Sequence, residues 1–136
     1  MITAIDTSVL LDVFGADPNF GPSSAAAVQA CLAGGSVIAC EIVWAETTAS
    51  FPAAPEAEAA LKRLRIDFSP LDAVSALAAG EHWRTYRRAG GTRERTIADF
   101  VIGAHALAYT DQLLTRDRGF YRTYFKDMRV IDPGQG

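Results

Sequence analysis

The chain has 136 residues, 49% hydrophobic and 21% charged, with a formal net charge of −3. That length supports one domain with its own core, and no run approaches the ~20 apolar residues of a membrane-spanning helix. Cys31 and Cys40 have neither CxxC nor Cys/His spacing, and the N-terminal MITAIDTS lacks a basic start. The expectation is therefore a cytoplasmic protein with reduced thiols, no zinc site and no secretory signal.

The charge is unevenly placed. Residues 1–61 hold seven acids and no Lys or Arg, and the remainder holds all 13 basic residues against nine acids. Arginine dominates the second half, and planar guanidinium groups suit phosphate and carboxylate alike.

Ile2 to Ile5 reads as a short strand ending at Asp6, with Thr7 or Ser8 capping a helix through Val9, Leu10, Val13 and Phe14. After a loop rich in Gly and Pro, Ser23 or Ser24 caps a second helix that Gly34-Gly35 ends. Ser36 to Ala39 is the second strand. A helix follows from Glu41 to Thr47, with Glu46 more than a turn inside it, and Phe51-Pro52 breaks it. Pro55 opens an Ala-rich helix running to about Arg65, Ile66 to Leu71 is a brief extended piece, and Asp72 caps a long helix ending at Gly90-Gly91.

A helix from Ile97 follows, with Ile97, Phe100, Val101, Ala104, Leu107 and Ala108 as its apolar stripe. Its one acid is Asp99, with Gly103 and Ala106 expected to leave room beside it. Gln112 to Thr115 is a strand candidate, Asp117 lies just past its end, Phe120 to Phe125 is a short aromatic helix, and Met128 to Ile131 is the last strand. Alternating strands and helices predict βαβ units and a mostly parallel sheet in a single α/β domain over residues 1–136.

Four acids sit where local propensity does not demand them: Asp6, Glu46, Asp99 and Asp117. Two follow strands at one expected sheet edge, where open α/β sheets bind ligands, and two sit on helices packed against the sheet. Converging carboxylates repel one another and divalent cations relieve that repulsion; all-oxygen donors favour Mg²⁺ or Mn²⁺. Such a site can activate water against a phosphodiester. Without a cation the four carboxylates are expected to have raised pKa values, with activity falling at acid pH. His82 and His105 are neither paired nor placed with the acids and read as structural.

The segments IDTSVLLDVF (5–14), WAET (44–47), ADFVIGAHAL (98–107), LLTRDRGFYRTYF (113–125) and VIDP (130–133), in this order and spacing, resemble the PIN-domain nucleases, most closely the VapC-type toxins of bacterial toxin–antitoxin pairs. The resemblance covers essentially the whole chain. It implies a three-layer α/β/α fold and an Mg²⁺- or Mn²⁺-dependent endoribonuclease, with Asp6 and Asp99 as direct metal ligands and Asp117 as a ligand directly or through water. Glu46 would hold the attacking water and help deprotonate it. Thr7, Ser8 or Thr115 would bring a hydroxyl or backbone group near the cation, and Arg93, Arg95 and Arg116, with Thr115, are the candidates for RNA contact. Arg118 reads either as a phosphate contact or as charge balance. The implied partners are RNA, a small antitoxin whose C-terminal segment wraps the toxin, and a second copy of the chain in a homodimer. Many relatives carry a further acid where this chain has Gly119, which bears on whether a second metal is held.

Two alternatives stand beside this reading. A non-catalytic module would keep the fold without needing the acids. An Asp-dependent phosphotransfer protein also places an Asp after its first strand. Its phosphatase form expects a second Asp where Ser8 stands, and its receiver form expects a late lysine that Lys62 and Lys126 do not provide.

Overall fold

A computed structural model describes residues 1–92 and 95–135. Five strands form one sheet: β1 (Ile2–Ile5), β2 (Ser36–Ala39), β3 (Ile66–Phe68), β4 (Gln112–Leu114) and β5 (Val130–Ile131). Their order is β3-β2-β1-β4-β5, and every pairing is parallel. The short extended piece after the Ala-rich helix is thus a true edge strand, β3, held by Val37 opposite Ile66 and Ala39 opposite Phe68.

Parallel strands need crossovers, and helices supply them. Helices α1 (Thr7–Phe14) and α2 (Gly21–Gly34) join β1 to β2, and α3 (Glu41–Thr48) and α4 (Ala54–Arg63) join β2 to β3. The chain then passes through α5 (Ala73–Arg88) and α6 (Ile97–Tyr109) to the far side of β1, where β4 is laid down; α7 (Arg118–Tyr124) leads to β5. In β1 the consecutive residues Thr3, Ala4 and Ile5 are all buried. Side chains on a strand alternate between faces, so both faces of the sheet are covered, as a three-layer α/β/α arrangement requires. The central side chains, Ile5, Val37, Leu113 and Leu114 with Phe100, Tyr121 and Phe125, are almost fully out of water.

Several local expectations shift. Asp6, rather than Thr7 or Ser8, occupies the N-cap of α1, its Oδ1 accepting from the Thr7 N–H at 2.8 Å. Helix α2 starts at Gly21 with Pro22 in its first turn, and Ser24 is buried inside it, donating to Asp12. On α6 the buried residues are Phe100, Ile102, Gly103, Ala104, His105 and Ala106, whereas Ile97 and Leu107 are exposed. The small residues let the helix press its other side into the core. At Gly103 a Cβ would meet the Phe125 ring at 2.4 Å, so the room beside it belongs to an aromatic ring and not to Asp99. Both histidines are structural: His105 is buried with Nε2 2.9 Å from Ser69 Oγ, its pKa lowered by burial, and the His82 ring packs 4.7 Å from that of Phe125. Cys31 and Cys40 are free thiols. No helix among the described residues is long and apolar enough to cross a membrane.

Candidate functional site

In this strand order the chain leaves β1 toward β2 on one side and returns to β4 on the other. The crossovers therefore diverge at the carboxyl ends of β1 and β4. Such a switch point opens a crevice that nothing in the sheet fills. Here it is a cleft of about 450 Å³ lined by Asp6, Thr7, Ser8, Leu11, Glu46, Asp99, Ile102, Arg116 and Asp117. All four acids expected from sequence meet in it.

Asp6 is fixed by its strand. Its N–H donates to the Leu114 carbonyl at 3.0 Å, tying the end of β1 to β4, and its Oδ2 accepts from Thr115 Oγ1 at 2.7 Å. Burial pushes its pKa from 3.8 to about 6; the bonds from Thr115 and Thr7 work against that rise, and the nearby charges of Asp99 and Asp117 add to it. The same three carboxylates, after burial itself, hold the Tyr121 hydroxyl well above its usual range. The upward shift at Asp6 thus comes first from burial, with the mutual repulsion expected from the sequence a smaller contribution.

Asp99 lies in the first turn of α6 and caps it, its Oδ2 accepting from the Thr96 N–H at 2.9 Å. The capping role and the place in the cleft are compatible, because a helix N-terminus favours a carboxylate there. Glu46, exposed on α3, accepts from Thr7 Oγ1 at 2.8 Å, so α1 and α3 are linked across the cleft by one hydroxyl. Glu41, one turn earlier, instead accepts from the Leu71 N–H outside the cleft. Asp117, the N-cap residue of α7, is gripped by both terminal nitrogens of Arg95, Nη2 reaching Oδ1 at 2.9 Å.

The candidate RNA contacts divide. Arg95 does not line the cleft itself but reaches its edge by pairing with Asp117. Arg116 lines the cleft while giving Nε to Asp12 Oδ2 at 2.7 Å and Nη2 to Asp12 Oδ1 at 3.0 Å. Arg93 lies outside the described residues. Thr115 is fully buried beneath the cleft and bonded to Asp6, so it braces an acid from below and has no surface for RNA. Arg118 turns to Asp132, 3.7 Å away. One feature escaped the sequence reading, and one residue named there is placed. Asp12 is a buried acid on an apolar helix, the same signal that singled out Asp99, and it organises Arg116 and Ser24. Ser8 Oγ is buried at the cleft with no hydrogen-bond partner among the described residues.

These residues suit a hard divalent cation in kind: three mutually repelling carboxylates, a fourth nearby, oxygen donors throughout and an orphaned hydroxyl. As they stand, no three acidic, histidine or cysteine side chains among the described residues are gathered closely enough to chelate one. Arg95 meanwhile engages both Asp117 oxygens, which a cation would also need.

The sequence model described as PIN domain matches residues 3–126. No curated protein sequence matches the chain. Solved structures share the fold across the whole length. VapBC2 from Rickettsia felis, bound to a DNA fragment from their promoter, aligns at 18% identity with a TM-score of 0.75, covering 97% of this chain and 98% of that one. FitAcB from Neisseria gonorrhoeae aligns at 22% identity and TM-score 0.68 over 100% of both chains. A toxin-antitoxin complex from Klebsiella pneumoniae aligns at 18% identity and TM-score 0.67, covering 96% and 97%.

Proposed function

The chain belongs to the PIN domain family, and from that premise we propose that it is a divalent-cation-dependent endoribonuclease serving as the toxin of a toxin–antitoxin pair. The observation that carries the reading is the meeting of Asp6, Glu46, Asp99 and Asp117, spread over most of the chain, in one cleft at the switch point of the sheet. A non-catalytic module has no use for carboxylates that raise one another's cost of ionisation around the desolvated Asp6, a cost to stability unless a ligand compensates.

Asp6, Asp99 and Asp117 would hold the cation, Mg²⁺ or Mn²⁺. When bound, it supplies charge neutralisation at the scissile phosphate and makes water a stronger acid. The chain's own groups do the rest. Glu46, oriented by Thr7 Oγ1, accepts a proton from the attacking water. Arg116 in the cleft, and Arg95 beside it on Asp117, bring positive charge to an otherwise acidic site and neutralise neighbouring phosphates. The similarity in fold to a toxin-antitoxin complex supports an antitoxin protein as partner, and a homodimer is proposed from the family resemblance alone.

The test is cleavage of a mixed cellular RNA preparation by purified protein with Mn²⁺, Mg²⁺ or EDTA, alongside Asp6→Asn and Asp99→Asn. Metal-dependent cutting that both substitutions abolish in folded protein is the expected result. Equal cutting by wild type and variants would assign the activity to a contaminant. A folded, inhibitor-free protein that cuts nothing would favour the interaction module.

A further inference from the structure

Three of the four cleft acids are satisfied by neutral donors: Asp6 by Thr115 and Thr7, Asp99 by the Thr96 backbone and Glu46 by Thr7. Asp117 differs. Its partner is a cation, Arg95, engaged through both terminal nitrogens. The pair is partly covered, with side-chain exposures of 27% for Arg95 and 37% for Asp117. The guanidinium also lies on the Phe120 ring, 4.3 Å from ring centroid to Cζ. Among the described residues no other basic side chain forms an ion pair with a cleft acid; Arg116 and Arg118 are given to Asp12 and Asp132.

A guanidinium and a divalent cation compete for the same carboxylate, because two positive charges a few ångströms apart repel strongly in a partly dry cleft. A phosphodiester offers a guanidinium the same two-oxygen fork that Asp117 offers now. The aromatic platform under Arg95 is indifferent to which anion the fork faces.

We propose that Arg95 is an exchangeable counter-ion of the cleft: it neutralises Asp117 in the resting protein and passes to the substrate phosphodiester when a divalent cation takes Asp117. The inference rests on the phosphodiester-cleaving reading above and adds a consequence to it. Cation and nucleic acid each release the partner that the other needs, so they bind with positive coupling, and cation binding alone is held weak. Arg95 is then a positioning residue in the resting state and a substrate contact in the working one.

The experiment is Mn²⁺ affinity without RNA, by calorimetry or by the spin resonance of free Mn²⁺, on wild type, Arg95→Gln, Arg95→Lys, Arg118→Gln and Asp6→Asn, with thermal melts to confirm folding. Arg95→Gln should bind Mn²⁺ about tenfold more tightly while its cleavage at saturating Mn²⁺ falls about tenfold or more, an opposition that a merely structural ion pair does not produce. Arg95→Lys should stay within about threefold of wild type for Mn²⁺, keeping the charge without the fork. Arg118→Gln removes the same charge one residue from Asp117 and should change Mn²⁺ affinity by less than about threefold. Wild-type or weaker Mn²⁺ binding by Arg95→Gln, with Asp6→Asn abolishing binding, would overturn the exchange and leave the nuclease reading standing. Failure of every variant and of wild type to bind Mn²⁺ would overturn both.

Discussion

The Thr115 hydroxyl joins two acids of the cleft: it donates to Asp6 Oδ2 at 2.7 Å and accepts from the Asp117 N–H at 2.9 Å. A hydroxyl does both with one hydrogen, and Thr115 is fully buried while doing so. Thr115→Val keeps the shape and loses both bonds. The expected cost is about 1–3 kcal/mol in urea unfolding. Because the Thr115 bond lowers the Asp6 pKa, its loss should move the acid limb of any cleavage profile to higher pH. Thr115→Ser should restore most of both; a limb that stays put in the valine variant counts against the bridge.

A second expectation concerns acid and Asp6 itself. Its carboxyl titrates at about 6 when folded against 3.8 when unfolded. The folded state therefore holds the proton more tightly, and this group favours folding most at low pH. That contribution falls as pH rises from 3.8 to about 6 and is gone above it, a difference of about 3 kcal/mol at most. Asp6→Asn removes the titration. In EDTA, wild type should lose stability relative to the variant across that window, and saturating Mn²⁺ should reverse the loss. Parallel stability curves for the two proteins would show that Asp6 is not shifted.

Asp12 is 4% exposed and holds Arg116 through two hydrogen bonds and Ser24 Oγ through a third. Asp12→Ala leaves a half-covered guanidinium and a buried hydroxyl without their acceptor. The expected loss is about 3 kcal/mol by chemical denaturation. Adding Arg116→Met to that variant should recover part of it, since the double change removes the orphaned charge as well. Purely additive losses would mean that the pair is not coupled.

Two glycines should respond in opposite directions. Gly103→Ala drives a methyl into the Phe125 ring, 2.4 Å from where Cβ would stand, and should cost about 1–3 kcal/mol. Gly119 faces open space in the first turn of α7, so Gly119→Ala should be neutral or stabilising by about 0.5 kcal/mol. Thermal melts read both, and similar melting temperatures would contradict the packing described for Gly103.

Some of this was legible in the sequence and some was not. Strands β1 and β2 were readable because short β-branched runs end at sharp punctuation, at Asp6 and at the helix opened by Glu41. The four acids were readable as candidates from their places just after strands and on helices against the sheet, and the structure adds that Asp6 and Asp99 also cap their helices. The stripe on α6 was misjudged because its pattern is nearly uniform: where almost every residue is apolar or small, periodicity does not say which side faces in, and the fit of Phe125 against Gly103 decides it. Asp12 was overlooked as an ordinary helical acid, although its neighbours Val9, Leu10 and Val13 gave the same signal as those of Asp99. The claim of Arg95 on Asp117 was beyond reading, since a long side chain's choice of partner depends on distances that only the fold creates.

The place of β1 in the sheet has a consequence in time. The first strand is central, and its neighbour β4 is added more than 100 residues later, where Thr115 meets Asp6 across a separation of 109 positions. A chain emerging from the ribosome N-terminus first can pair β1 with β2 early, yet it has no β4, no Thr115 and no Asp117 until it is nearly finished. Truncated and nascent chains thus carry Asp6, Glu46 and Asp99 without the cleft that gathers them.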